Sequence, residues 1–252
     1  MKNKVIFSIT LSIVFILSLS FKSLANKTYT QEKNNSNEIL FQNKSVNTHN
    51  KIDVFGNIIK SLKGRTVEYG IMVQFDSRSD RRKTVDELFN KINRYGKLSR
   101  KTSSNNESYS IELQGNSING FIESTQYDDH NIVKIDIVKK DNKYMIQQLE
   151  NNLDKILGSK LENVRIYRYI KIKMENNNID ETYKKVTNVL KIIGVNRINT
   201  EAIENGYTST AYTGQYEKIY SNGAPIDFNF AVVEYSTGTY LIMGTPEIME
   251  TY

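Results

Sequence analysis

The sequence predicts an α+β fold in which a strand–helix–three-strand unit occurs twice. Three observations lead there. Apolar residues alternate at period two over several stretches, amphipathic helix stripes interrupt them, and the order of elements before residue 158 is repeated after it. Ile52, Phe55, Ile58, Ile59 and Leu62 share one helical face, and Gly64 is placed to end that helix. From Thr66 to Phe75, Val67, Tyr69, Ile71, Val73 and Phe75 alternate onto one side of a strand. After a charged loop at 76–83, Thr84 and Glu87 have capping-box spacing. Val85, Leu88, Phe89, Ile92 and Tyr95 then form a helix stripe that closes at Gly96. Polar residues 99–108 lead into three strands near 109–114, 117–126 and 131–139, separated by the turn signals Gly115-Asn116 and Asp128-Asp129. Asp141 is read as the cap of a helix carrying Met145, Leu149, Leu153 and Ile156, which ends at Gly158.

The second half has the same order. Val164 to Met174 is a long strand. Asn178 and Glu181 start a helix with Val186, Val189, Leu190 and Ile193 on one face, ended by Gly194. Strands follow near 207–213, 227–235 and 239–244. The two units span about 51–158 and about 159–252, too few and too long for a solenoid. Two such halves joined edge to edge make one curved antiparallel sheet, with helices on one face and the concave face open.

The N-terminus bears on location and on charge. Lys2 and Lys4 precede an apolar run from Val5 to Phe21, and Ser23-Leu24-Ala25 supplies small residues before a cut. That is the pattern of a secretory signal, residues 1–25. Retention as a membrane anchor is the rival, since the run is only slightly shorter than a span of about 20 residues. Residues 26–50 are polar and read as a flexible linker. The chain's net charge is +6. Three of its lysines, and no acid, lie in residues 1–25, so +3 remains over the other 227 residues. A bulk electrostatic case for a polyanion then weakens, and nucleic acid is not an expected partner. The chain has no Cys and two His, which removes disulfide scaffolds, Cys-based zinc or iron–sulfur sites and cysteine nucleophiles. No HExxH, Walker, GxSxG or dinucleotide pattern is present, and no cofactor or metal is expected.

The C-terminus reads Thr239-Tyr240-Leu241-Ile242-Met243-Gly244-Thr245-Pro246-Glu247-Ile248 and ends Glu250-Thr251-Tyr252. It resembles the closing motif of the YwmB family, exported proteins of spore-forming Gram-positive bacteria with no characterised function. The resemblance extends over the signal-like segment and about 51–252 in element order, with the motif itself confined to the last 25 residues. Glu247 stands where the family usually has Ile. The resemblance implies a fold similar to the TATA-box-binding protein, a duplicated unit forming a saddle-shaped sheet. It does not carry DNA binding with it.

Two surfaces stand out. Arg165, Tyr167, Tyr169, Lys171 and Lys173 alternate onto one face of the strand 164–174, a row of aromatics and cations suited to stacking sugars or meeting anionic wall polymers. The segment Arg78–Lys101 holds nine cations against three acids, with Arg78, Arg81, Arg82 and Lys83 at its start, whereas 201–252 holds one Lys against seven acids. Asp128-Asp129-His130-Asn131 is read as a turn, His49 as a linker residue, and Gly244-Thr245-Pro246 as a strand end with a rigid exit. Scattered carboxylates such as Glu123 and Asp136 carry almost no signal for glycosidase chemistry. The expectation is an extracytoplasmic, non-catalytic binding module of the cell envelope. Its partner would be an envelope protein or anionic polymer, and it would meet the membrane only through an uncleaved N-terminus. An envelope hydrolase whose carboxylates the sequence does not pair, or an extracytoplasmic polyanion binder, is the alternative.

Overall fold

The computed structural model describes residues 52–158 and 161–249. The signal-like segment, the polar linker, His49 and the ending Glu250-Thr251-Tyr252 lie outside the described residues. The order is α1 (Val54–Ser61), β1 (Gly64–Ser77), α2 (Arg81–Ile92) with a short 3-10 turn, β2 (Ser99–Ser104), β3 (Ser108–Gln114), β4 (Ile118–Tyr127), β5 (His130–Lys140) and α3 (Ile146–Leu157). Then come β6 (Glu162–Met174), α4 (Ile179–Ile192), β7 (Ile198–Ile203), β8 (Gly206–Ala211), β9 (Ile219–Ser221), β10 (Ala224–Ile226), β11 (Phe228–Tyr235) and β12 (Gly238–Thr245). The protein is α+β, with a ten-stranded antiparallel sheet in the order β2-β3-β4-β5-β1-β6-β12-β11-β8-β7. The two longest strands, β1 and β6, meet at its centre. A separate hairpin pairs β9 with β10.

Alternation decides which face is covered. Tyr69, Ile71, Val73 and Phe75 of β1, Val133, Ile135 and Ile137 of β5, Ile170 and Ile172 of β6, and Phe228, Phe230 and Val232 of β11 are buried in one core. Val54, Phe55 and Ile58 of α1, Val85 and Phe89 of α2, Leu153 of α3 and Val186 and Leu190 of α4 join them. Burying an Ile or Phe of this kind stabilises a fold by about 1.5–3 kcal/mol. The helices therefore cover one face, and the other is free of helix among the described residues.

Within the ten-stranded sheet four strands follow each of α2 and α4 where three were expected, and the β9–β10 hairpin was not expected either. The additional strands of the sheet are the edge strands β2 and β7. β2 reads SRKTSS, and every residue is exposed, so no apolar alternation marks it. Two helix starts also differ from expectation. α2 begins at Arg81, because Asp80 accepts from the Lys83 N–H at 2.8 Å, while Thr84 Oγ1 donates to Asp80 O at 2.8 Å from inside the first turn. Asp141 caps no helix. It ion-pairs with Lys139 at 3.1 Å and accepts from the Lys143 N–H, and α3 starts at Ile146 with no side-chain cap. Asn178 does cap α4, accepting from the Glu181 N–H at 2.9 Å. The loop after β8 is held by buried Asp227, which accepts from the N–H groups of Thr213, Gln215 and Tyr216 and from the Thr213 hydroxyl.

Candidate functional site: the helix-free sheet face

β6 sits between β1 and β12, so the side chains that point away from its core row land at the middle of the helix-free face. Register places Arg165 beside Gln74, Tyr167 beside Met72, Tyr169 beside Gly70 and Lys171 beside Glu68. On the β12 side, Tyr169 meets Gly244, Lys171 meets Ile242 and Lys173 meets Tyr240. The five residues picked out in the sequence thus share one face, as their alternation required. Arg168 is the cation on the opposite face, where its guanidinium forms a two-point ion pair with Glu150 of α3.

The two tyrosines are not the open stacking platform expected of them. Tyr167 is 7 % exposed and Tyr169 6 %. The ring of Tyr169 lies over Gly70, where a Cβ would come 2.6 Å from its Cε1. Past β12 the chain turns back over this face. A Cβ on Gly244 would lie 2.6 Å from Glu247 O, and the Ile248 N–H donates to Asn229 Oδ1 at 3.2 Å. Tyr169, Ala231, Val233 and Ile242 are buried in a second small cluster, with Val138, Ile203, Tyr235, Tyr240 and Ile248 packed on it. Alternation tells which face a residue takes but not what lies on top of it, so the cover escaped the sequence. Burial pushes the Tyr167 hydroxyl pKa up, partly offset by Arg165. Desolvation also raises the Glu247 carboxyl above its ordinary value.

What remains accessible is a cluster of cations and rings. Lys171 Nζ lies 5.1 Å from the ring centre of Tyr235 and 5.4 Å from that of Tyr240, and Lys173 Nζ lies 5.9 Å from Tyr240. The two rings meet edge to face at 5.4 Å, and the Tyr240 hydroxyl shares a 3.0 Å hydrogen bond with Thr237. In the sequence Tyr235 only ends the stretch 227–235 and Tyr240 lies within the closing motif, and neither belongs to the row on the strand 164–174. Their nearness to Lys171 depends on the β11–β12 and β12–β6 registers, which periodicity does not encode.

The second set of residues is elsewhere. Arg81, Arg82 and Lys83 form the first turn of α2, and Arg78 lies in the loop before it. Arg81 donates to Asn106 O at 3.0 Å, and the Arg82 guanidinium stacks 5.2 Å over Tyr109, a core-face residue of β3. Arg78, Arg82 and Lys83 are exposed. The basic patch therefore belongs to the helix side of the sheet and is not joined to the Lys171–Tyr240 cluster.

Asp128-Asp129 forms the β4–β5 turn, with Asp128 at φ 47° and His130 Nδ1 3.1 Å from Asp129. Among the described residues no group of three or more His, Asp or Glu could hold a metal ion. Register puts Glu123 opposite Lys134 and Asp136 opposite Phe121. No helix of the described residues is long and apolar enough to cross a membrane. A cavity of about 160 Å³ on the helix side is lined by residues that include Ile92, Leu98, Leu149, Leu153, Tyr69 and Lys139. The amino-acid sequence matches no protein-family model and none of the curated proteins.

Proposed function

We propose that the chain is an exported protein of the YwmB type, acting without catalysis as a binding module for an anionic polymer of the cell envelope. The observation that carries the reading is the helix-free face, where Lys171 and Lys173 stand against the rings of Tyr235 and Tyr240. Tyrosine faces stack on sugars and lysines meet phosphate or carboxylate, so the combination suits a polyanion built of sugar or polyol units. Arg165, exposed farther along β6, extends the row, while Tyr167 and Tyr169 act beneath it as support. The α2 patch at Arg78–Lys83 is a separate, secondary contact.

The finer fold belongs to the same proposal: two duplicated units in a sheet like that of the TATA-box-binding protein. Its support is the strand order, which reads β1-β5-β4-β3-β2 outward on one side of the centre and β6-β12-β11-β8-β7 on the other. Export is supported by the lysines and apolar run of residues 2–25.

Retention of the full chain on purified wall polymer tests the reading. At low salt the native chain is expected to be retained and to be released by salt. Lys171→Ala/Lys173→Ala and Tyr240→Ala are each expected to weaken retention at least about ten-fold, the equivalent of about 1.4 kcal/mol. Loss of retention in the native chain, or variants that bind like it, overturns the proposal.

A further inference from the structure

We infer that the two edges of the sheet pair with one another between copies of the chain, β7 of one copy adding to β2 of the next. Among the described residues β2 and β7 end the sheet, each with six residues, without proline. Their registers with β3 and β8 run without a bulge. Such edges present unpaired peptide groups and accept a further strand. All nine pairings in the sheet are antiparallel, so β2 and β7 run in opposite directions. A second copy displaced along the sheet, without being turned over, brings its β2 antiparallel to β7 and keeps its helices on the same side.

The hydrogen-bonding phase agrees. The Asn105 N–H donates to Ser108 O at 3.0 Å, which with the β2–β3 register turns the peptide groups of Arg100, Thr102 and Ser104 outward. At the other edge the Glu234 N–H donates to Asn205 O at 2.8 Å, which leaves those of Ile198, Thr200 and Ala202 outward. Full antiparallel overlap sets Ile198 opposite Ser104, Thr200 opposite Thr102 and Ala202 opposite Arg100, so outward groups meet outward groups.

The same register sets Glu201 opposite Lys101. Both lie on the helix-free face, Glu201 in the row of Thr208 and Ala231, Lys101 in the row of Glu112 and Phe121. Charges would then alternate through Glu112, Lys101 and the neighbouring copy's Glu201. A lysine on an edge ordinarily discourages pairing, and here Glu201 on the opposite edge adds a second acid to the Glu112 already beside Lys101. The contact is heterologous, so it produces filaments or closed rings rather than a dimer.

The chain has no cysteine, which makes cross-linking unambiguous. Ser103 and Asn199 face each other in this register, and both are exposed. The full chain carrying Ser103→Cys and Asn199→Cys is expected, on mild oxidation, to give a ladder of dimers, trimers and higher species that a reductant collapses. Either single variant, with no thiol opposite its own, should give no ladder and stay monomeric. Adding Glu201→Lys to the double variant should cut the ladder at least ten-fold, and adding Lys101→Glu to that should restore it. A double variant that stays monomeric overturns the inference. So does a ladder unaffected by Glu201→Lys, which would place assembly elsewhere, the N-terminal segment included. Circular dichroism of each variant separates loss of pairing from loss of fold. The result is independent of the polymer-binding reading, since no wall polymer is present.

Discussion

Glu247 shows how one position joins sequence, cover and pH. It follows Pro246 in the segment laid over the sheet, close enough to Tyr167 to raise that hydroxyl's pKa, and its own carboxyl is raised by desolvation. The folded state therefore holds its proton to a higher pH than the unfolded chain does, whose glutamate titrates near about 4.3. Linkage fixes the sign: the folded state is favoured below that value and loses stability as pH rises through the raised pKa. Glu247→Gln removes the effect. Its urea midpoint should equal that of the native chain at pH 3.5 and exceed it at pH 7.5. Equal midpoints at both pH values would show that the carboxyl is solvated. A hint is present at position 247, because an acid stands where the resembled motif has an apolar residue. Its burial beside Tyr167 was not legible, since it depends on the chain folding back past Gly244.

At the scale of elements, periodicity located the central strands and the four helices of the described residues to within a few residues and failed where side chains carry no contrast. β2 has no apolar residue at all, and β7 is mostly exposed, so periodicity marks neither edge as a strand. Caps were the other weak point. Thr84 and Glu87 have the spacing of a capping box, but Asp80, one turn earlier, takes the role. The reason is electrostatic as well as geometric. Arg81, Arg82 and Lys83 fill the first turn, where the helix dipole disfavours cations, and a carboxylate at the cap offsets them. Asp80→Ala should cost about 1–2 kcal/mol in urea unfolding. Thr84→Ala, which loses only a hydroxyl bond to the Asp80 carbonyl, should cost less than about 0.5 kcal/mol. The reverse ranking would return the helix start to Thr84.

For the molecule as a whole, the decisive contact is the β1–β6 seam. These strands have 14 and 13 residues, pair from Gly64↔Met174 to Asp76↔Glu162, and put Tyr69, Ile71, Ile170 and Ile172 into the core that takes in residues from α1, α2, α3 and α4. That two long apolar strands exist was legible in the sequence. That they lie side by side was not, since joining two half-sheets edge to edge names no strands and periodicity specifies faces and not neighbours. Arg168 of β6, ion-paired with Glu150 of α3, adds a polar tie across the same region. With so much of the apolar core continuous across the seam, neither half can lose its packing without exposing the other's. The described residues should therefore unfold in one transition. Ile170→Ala, which empties a fully buried site at the seam, should destabilise by about 2–5 kcal/mol. Amides of β3–β4 and of β8–β11, on opposite sides of the seam, should move to the same lower midpoint in hydrogen exchange. If the β8–β11 amides open first while β3–β4 keep their native protection, the two halves are energetically separate and the central pairing does not bind them into one cooperative unit.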